Sequence, residues 1–202
     1  MSRTARIVRA ATIAAYVVGL TGVAVTLASG LFMLAGEPWG VLTDVAVLVM
    51  TAAIAPLMLA FYELGGLTPT PLAQVAQAAG WIAVLTWCAA QALVIAGVVE
   101  FDLDSPADGA FGIWSAALVV IGSWVAGANL LAGPWLGRVR WVGVVGGLAG
   151  MALGYGLLLG RAEPLSYIGL VIYQFGIPIW ALLMTRELGR HSRSQLIADE
   201  VA

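Results

Sequence analysis

The sequence predicts an all-α polytopic membrane helix bundle of six transmembrane helices, with both termini in the cytoplasm. Three observations predict it: a composition too apolar for a water-facing surface, six long apolar runs, and an arginine distribution confined almost wholly to one side. Of 202 residues, 61% are apolar and 10% charged, and the mean hydropathy is +0.98. A soluble domain carries about 25% charged residues, and a chain of this size cannot hide so much apolar surface from water.

A spanning helix needs about 20 mainly apolar residues. Runs of that kind cover 7–35, 41–64, 72–99, 110–132, 141–160 and 165–185. Between them lie Gly36-Glu37-Pro38, Gly65-Gly66 through Pro71, Asp102 to Gly109 around Pro106, Gly133-Pro134, and Arg161 to Pro164. Glycine and proline end helices for backbone reasons, through a left-handed cap or a missing donor. Connections this short make sequential helices antiparallel neighbours. The apolar run after Arg3, Arg6 and Arg9 exceeds the roughly 7–15 residues of a signal-peptide core, so it reads as a retained first span. The chain then divides into one six-helix domain, 1–190, and a short polar cytoplasmic tail, 191–202.

Orientation follows from arginine, the only basic residue type besides one histidine. Six spans put Arg3, Arg6, Arg9, Arg138, Arg140, Arg186, Arg190 and Arg193 on one side and Arg161 alone on the other. Positive charge marks the cytoplasmic side, which places the protein in the cell membrane as a multi-pass protein. Trp39, Trp135, Trp141 and Trp180 fall near predicted helix ends and read as an interfacial belt. Trp81, Trp87, Trp114 and Trp124 sit deeper, with packing or lipid contact as their expected role.

The fifth helix carries Gly143, Gly146, Gly147, Gly150 and Gly154, which make the small-xxx-small pairs 143/147, 146/150 and 150/154. Small residues at that spacing let helix backbones approach closely, which matters where lipid rather than water is the alternative environment. A tight contact within the chain is the first reading, and a homodimer or partner seam the second. Polar residues in hydrocarbon need internal partners or a cavity. The third helix has Gln74, Gln77, Trp81, Cys88 and Gln91 on one face; the fourth has Ser115, Gly122 and Asn129 at heptad spacing. Tyr167, Gln174 and Pro178 share a face of the sixth, and Thr12, Tyr16, Gly19 and Thr26 a face of the first. Facing inward together, they form a neutral hydrogen-bonding interior in which Gln91, Asn129, Gln174, Tyr16 and Tyr167 are the candidate ligand-binding residues.

Asp44 and Glu63 are the only carboxylates within the spans, and both are on the second helix. Nineteen residues apart, they are separated by about 28 Å at 1.5 Å per residue and cannot act as a pair on one substrate. Asp44 reads as a residue of the helix's opening turn, favoured there by the macrodipole. Glu63 sits at the opposite helix end, where that dipole disfavours a carboxylate. Its expected partner is Arg138 or Arg140, or else Arg186 or Arg190.

Catalytic and metal signatures are missing from the sequence. His191, the only histidine, is in the tail, so no histidine-based haem or metal site forms within one chain. There is no phosphate-binding loop, no zinc-ligand spacing and no nucleophile–histidine pattern, and no basic run with interleaved aromatics for nucleic acid. Neither metal nor cofactor is expected. Pro56 and Pro178 each open a place where a helix backbone carbonyl loses its donor.

The six-span plan, with the final-helix run Tyr173-Gln174-Phe175-Gly176-Ile177-Pro178-Ile179-Trp180 and an arginine-rich end, resembles small six-helix bacterial membrane proteins grouped as domains of unknown function. That resemblance implies topology and no activity. The functional expectation is a non-catalytic membrane module that packs with a partner or binds a small lipophilic ligand. A small transporter is the alternative, and an intramembrane enzyme using Glu63 or Asp44 as an acid the third reading.

Overall fold

A computed structural model of the chain describes residues 3–64, 70–99, 109–159 and 164–201. Six α-helices follow in order: α1 Arg3–Ala35, α2 Trp39–Leu64, α3 Pro71–Ile95, α4 Gly109–Leu131, α5 Val139–Leu158 and α6 Pro164–Val201, with a 3₁₀ turn at Gly133–Leu136 before α5. All six are long and apolar enough to cross a membrane.

Helix ends fall where the backbone chemistry dictates. Thr70 caps α3: its Oγ1 accepts a hydrogen bond from Ala73 N at 3.2 Å, and Pro71 occupies the first helical position. Proline suits that position because its missing N–H would have no partner there. The same helix stops at Ile95, short of the expected residue 99, because Gly97 turns left-handed at φ +67°. α6 differs most from expectation. It runs on to Val201, so the segment expected as a polar tail continues the helix.

The helices close into a ring. Each packs on its neighbours in sequence, and α6 returns to pack against α1. Packing along α5 depends on glycine. A Cβ added at Gly147 would lie 2.5 Å from Ala126 N and 2.6 Å from Gly122 O on α4. At Gly154 it would lie 2.6 Å from Ser115 O. Gly143 faces the Asn129 side chain, also on α4. Gly146 and Gly150 turn the other way, toward Ile177 and Tyr173 of α6, at 3.0 and 2.8 Å. One helix thus seats two neighbours on different glycines. On the far side of the ring, Gly19 and Gly22 of α1 receive Leu182 and Pro178 of α6.

The outside of the ring is apolar. Leu20, Leu27, Ile82, Leu85 and Leu131 are each more than 60% exposed. In water such a surface would aggregate; in a bilayer it is the surface that meets lipid. A shallow groove of small and aliphatic side chains, among them Ala79, Ile82, Ala116 and Val120, runs between α3 and α4.

Candidate functional site

The ring interior has two halves of opposite character. At the end shared by the start of α1 and the end of α2, aromatic side chains fill it. Phe61, fully buried, lies with its ring centroid 5.7 Å from Trp124, 5.8 Å from Trp135 and 6.0 Å from Trp180. The indole nitrogens of Trp124 and Trp180 are tied down as the low dielectric requires. Trp124 Nε1 donates to Gln77 Oε1 at 3.0 Å, and Gln77 Nε2 donates to Met58 O at 3.2 Å, so one glutamine joins α2, α3 and α4. Trp180 Nε1 donates to Asn129 Oδ1 at 2.9 Å, while Asn129 Nδ2 donates to Val125 O at 2.8 Å.

At the other end the interior opens into a cavity of about 220 Å³. All six helices contribute to its wall. Trp87, Trp114, Phe111 and Tyr173 supply aromatic surface; Val25, Val47, Met50, Leu153 and Ile177 supply aliphatic surface. Trp87 and Trp114 meet edge to face at 4.7 Å, and Phe111 stacks on Trp114 at 5.7 Å. Besides the indole nitrogens, polar groups on the wall are few: Ser29, Thr43, Tyr173, Gln174 and one joined pair, Asp44 with Gln91. Gln91 is buried, and its Nε2 donates to Asp44 Oδ1 at 3.0 Å, crossing from α3 to α2. Trp87 is 1% exposed, and its Nε1 has no acceptor among the described residues.

Of the five candidate ligand-binding residues, the structure brings Gln91 and Gln174 to the cavity. Asn129 is in the other half, with both ends of its amide spent on Trp180 and Val125. Tyr16 and Tyr167 are 50% and 60% exposed and face outward. The expected polar face of α1 does not line the interior either. Thr12 and Thr26 bond back to Val8 O and Gly22 O of their own helix, at 2.8 and 3.0 Å. A hydroxyl can satisfy itself four residues back along a helix, so a threonine at an apt spacing need not mark a shared polar interior.

The two carboxylates also diverge from expectation. Asp44 does not sit in the opening turn: α2 begins at Trp39, so Asp44 lies in the second turn, turned inward. Glu63 pairs with none of the four expected arginines. Its Oε1 accepts from Arg3 Nη2 at 2.5 Å, which joins α2 to α1 and not to the second half of the bundle. The reason is that α1 starts as early as Arg3, bringing that side chain level with the end of α2. The Arg3 side chain is 74% exposed, and exposed pairs contribute about 0–1 kcal/mol. Arg190 pairs with Glu187 one turn before it, and Arg140 lies over the Trp141 ring at 5.1 Å.

Trp135 and Trp180, read from sequence as interfacial, belong to the buried aromatic cluster. Trp180 is mid-helix because α6 extends far beyond residue 185. Trp87 and Trp114 were legible only as deep aromatics; that they wall a cavity follows from the ring closure. Among the described residues, no group of three metal-ligating side chains comes together. No protein-family model, curated protein or solved structure matches the chain.

Proposed function

We propose that the chain is a non-catalytic membrane module that holds one small lipophilic molecule in the cavity at the Asp44 end. The observation that carries this reading is the cavity itself. An apolar enclosure with a few convergent polar groups is the usual form of a small-molecule site, and about 150 Å³ already accommodates benzene. The glycine faces argue for a ligand over a protein partner, because α5 spends its glycines on α4 and α6 within the chain. The transporter alternative needs a path through the other half, where Phe61 and its three tryptophan neighbours fill the interior.

A second reading has one specific observation in its favour: a carboxylate, Asp44, on the wall of an apolar cavity, placed as a proton donor to a bound substrate. One experiment separates the two. Protein purified in a mild uncharged detergent is extracted and its bound small molecules are identified by mass spectrometry, beside Val47→Trp, which fills the cavity. The wild type is expected to retain a lipophilic compound that Val47→Trp has lost. Equal yields from both would remove the binding reading. Recovery of a chemically altered compound from wild type but not from Asp44→Asn would transfer the assignment to acid catalysis.

The same proposal places both termini on the cytoplasmic side of the cell membrane. Arg3, Arg6, Arg9, Arg138, Arg140, Arg186 and Arg190 all lie at the aromatic end of the bundle, as the positive-inside rule requires of the cytoplasmic side. In a Cys88→Ala background, Ser105→Cys is expected to react with an impermeant thiol reagent on intact cells. Thr68→Cys and Ser194→Cys should react only after permeabilisation; the reverse pattern would invert the topology.

A further inference from the structure

We infer that the cavity selects an organic monocation, an alkylammonium group carried on a small apolar body. The inference rests on the binding proposal above and gives it a ligand class.

Asp44 carries the argument. A carboxylate inside a membrane-spanning segment is costly and is retained where it has a partner or a task. Among the described residues its hydrogen bond comes from Gln91, a neutral donor that occupies Oδ1 and leaves the charge uncompensated. Among the described residues, no arginine shares its end of the bundle. The partner that Glu63 finds in Arg3 has no described counterpart here.

The wall around Asp44 suits a cation of low hydration. Trp87, Trp114, Phe111 and Tyr173 present aromatic surface, and aromatic rings attract ammonium groups through their quadrupole, most strongly when desolvated. A hydrated inorganic cation would find few oxygens in exchange for its water shell, since besides Asp44 only Ser29, Thr43, Gln91, Tyr173 and Gln174 on the wall carry a side-chain oxygen. A quaternary or tertiary ammonium needs no such replacement. An anion would meet Asp44 with no described cation to offset it.

Charge outside the cavity acts in the same direction. Glu37 lies at this end, and in the sequence the two segments that join helices there, 100–108 and 160–163, carry five more of the chain's eleven carboxylates. Arg161 is the only arginine in the segments joining helices there. Summed fields of one sign raise the local concentration of the opposite charge.

The test uses the full chain in maltoside micelles, with benzyltrimethylammonium as probe and neopentylbenzene as its neutral isostere, one carbon replacing the nitrogen. Binding of the labelled cation is measured by equilibrium dialysis, and the isostere by competition. Wild type is expected to bind the cation at least ten-fold more tightly than the isostere. Asp44→Asn, whose amide oxygen can still accept from Gln91, should lose that ten-fold preference, read as the ratio of the two affinities within each variant. Asp44→Glu should restore part of it. Equal affinity for cation and isostere in wild type overturns the inference and leaves the cavity a neutral lipophile site. Binding of neither probe overturns this inference, and the absence of a retained compound in the extraction experiment is then what removes the binding proposal. A melting temperature for Asp44→Asn within a few degrees of wild type confirms that the comparison is made between folded proteins.

Discussion

Leucine in place of Gly147 is expected to abolish assembly of the bundle, whereas leucine at Gly30 leaves it intact. A Cβ at 147 would sit 2.5 Å from Ala126 N and 2.6 Å from Gly122 O. Both are backbone atoms of α4, which cannot rotate out of the way as a side chain would. The only relief is to move α4 from α5 along their length, which also disturbs the approaches at Gly154 and Gly143. Overpacking in a deformable core costs about 1–3 kcal/mol; a contact made by backbone on both sides belongs at or beyond the upper end. Gly30, by contrast, has no atom within 4 Å of its Cβ direction and is exposed on the outside of α1. Size-exclusion profiles and melting temperatures in detergent decide the matter. Similar melting for the two variants would mean that the α4–α5 seam does not hold the fold.

The second large effect is expected at Phe61. It is 0% exposed and touches three tryptophans from α4, the 3₁₀ turn and α6. Truncation to alanine leaves a void among rings that are themselves pinned, Trp124 by Gln77 and Trp180 by Asn129, so the neighbours cannot collapse into it. Phe→Ala in a packed core costs about 3–5 kcal/mol. Part of that figure is transfer from water, which lipid does not supply, so a loss near 3 kcal/mol is the expected value. Phe175→Ala, on a side chain 53% exposed, should change little. Unfolding by denaturing detergent, followed by tryptophan fluorescence, gives both numbers. Equal stabilities would show that the aromatic half is filled but not tightly packed.

The number of helices and their approximate bounds were legible because both depend on one-dimensional properties: apolar length, and glycine or proline at the breaks. Helix ends beyond the apolar stretch were less so. α6 continues through a polar stretch because 186–200 holds no proline and a single glycine, Gly189, which a helix interior tolerates, and no proline or glycine falls near the start of α1. Those extensions then misled readings of charge and aromatics. Glu63 found Arg3, and Trp180 was mid-helix rather than at an end. The cavity was half legible. Spacing along α3 put Gln91 on an inward face, but Gln77 on the same face reached a different half of the bundle. Asp44 was read first as a first-turn residue because the start of α2 was placed two residues late. The cavity walls come from six helices at once, and no pattern along a single helix encodes where six helices meet.

The glycine seam of α5 has a bearing on how freely this sequence can drift. Helices joined by backbone-to-backbone approach admit no gain of volume, so along the α4 face of α5 nearly every substitution adds atoms where none fit. The joints of α3 are made otherwise, by side-chain pegs: Gln77 to Met58 O, Trp124 to Gln77, and Gln91 to Asp44. Such joints tolerate changes of bulk beside them but not loss of the peg. A saturation library scored for folded protein would therefore yield two distinct profiles. On α5 the permitted residues would be ranked by size, and on α3 by hydrogen-bonding capacity. The two halves of the ring would accumulate neutral change under different rules.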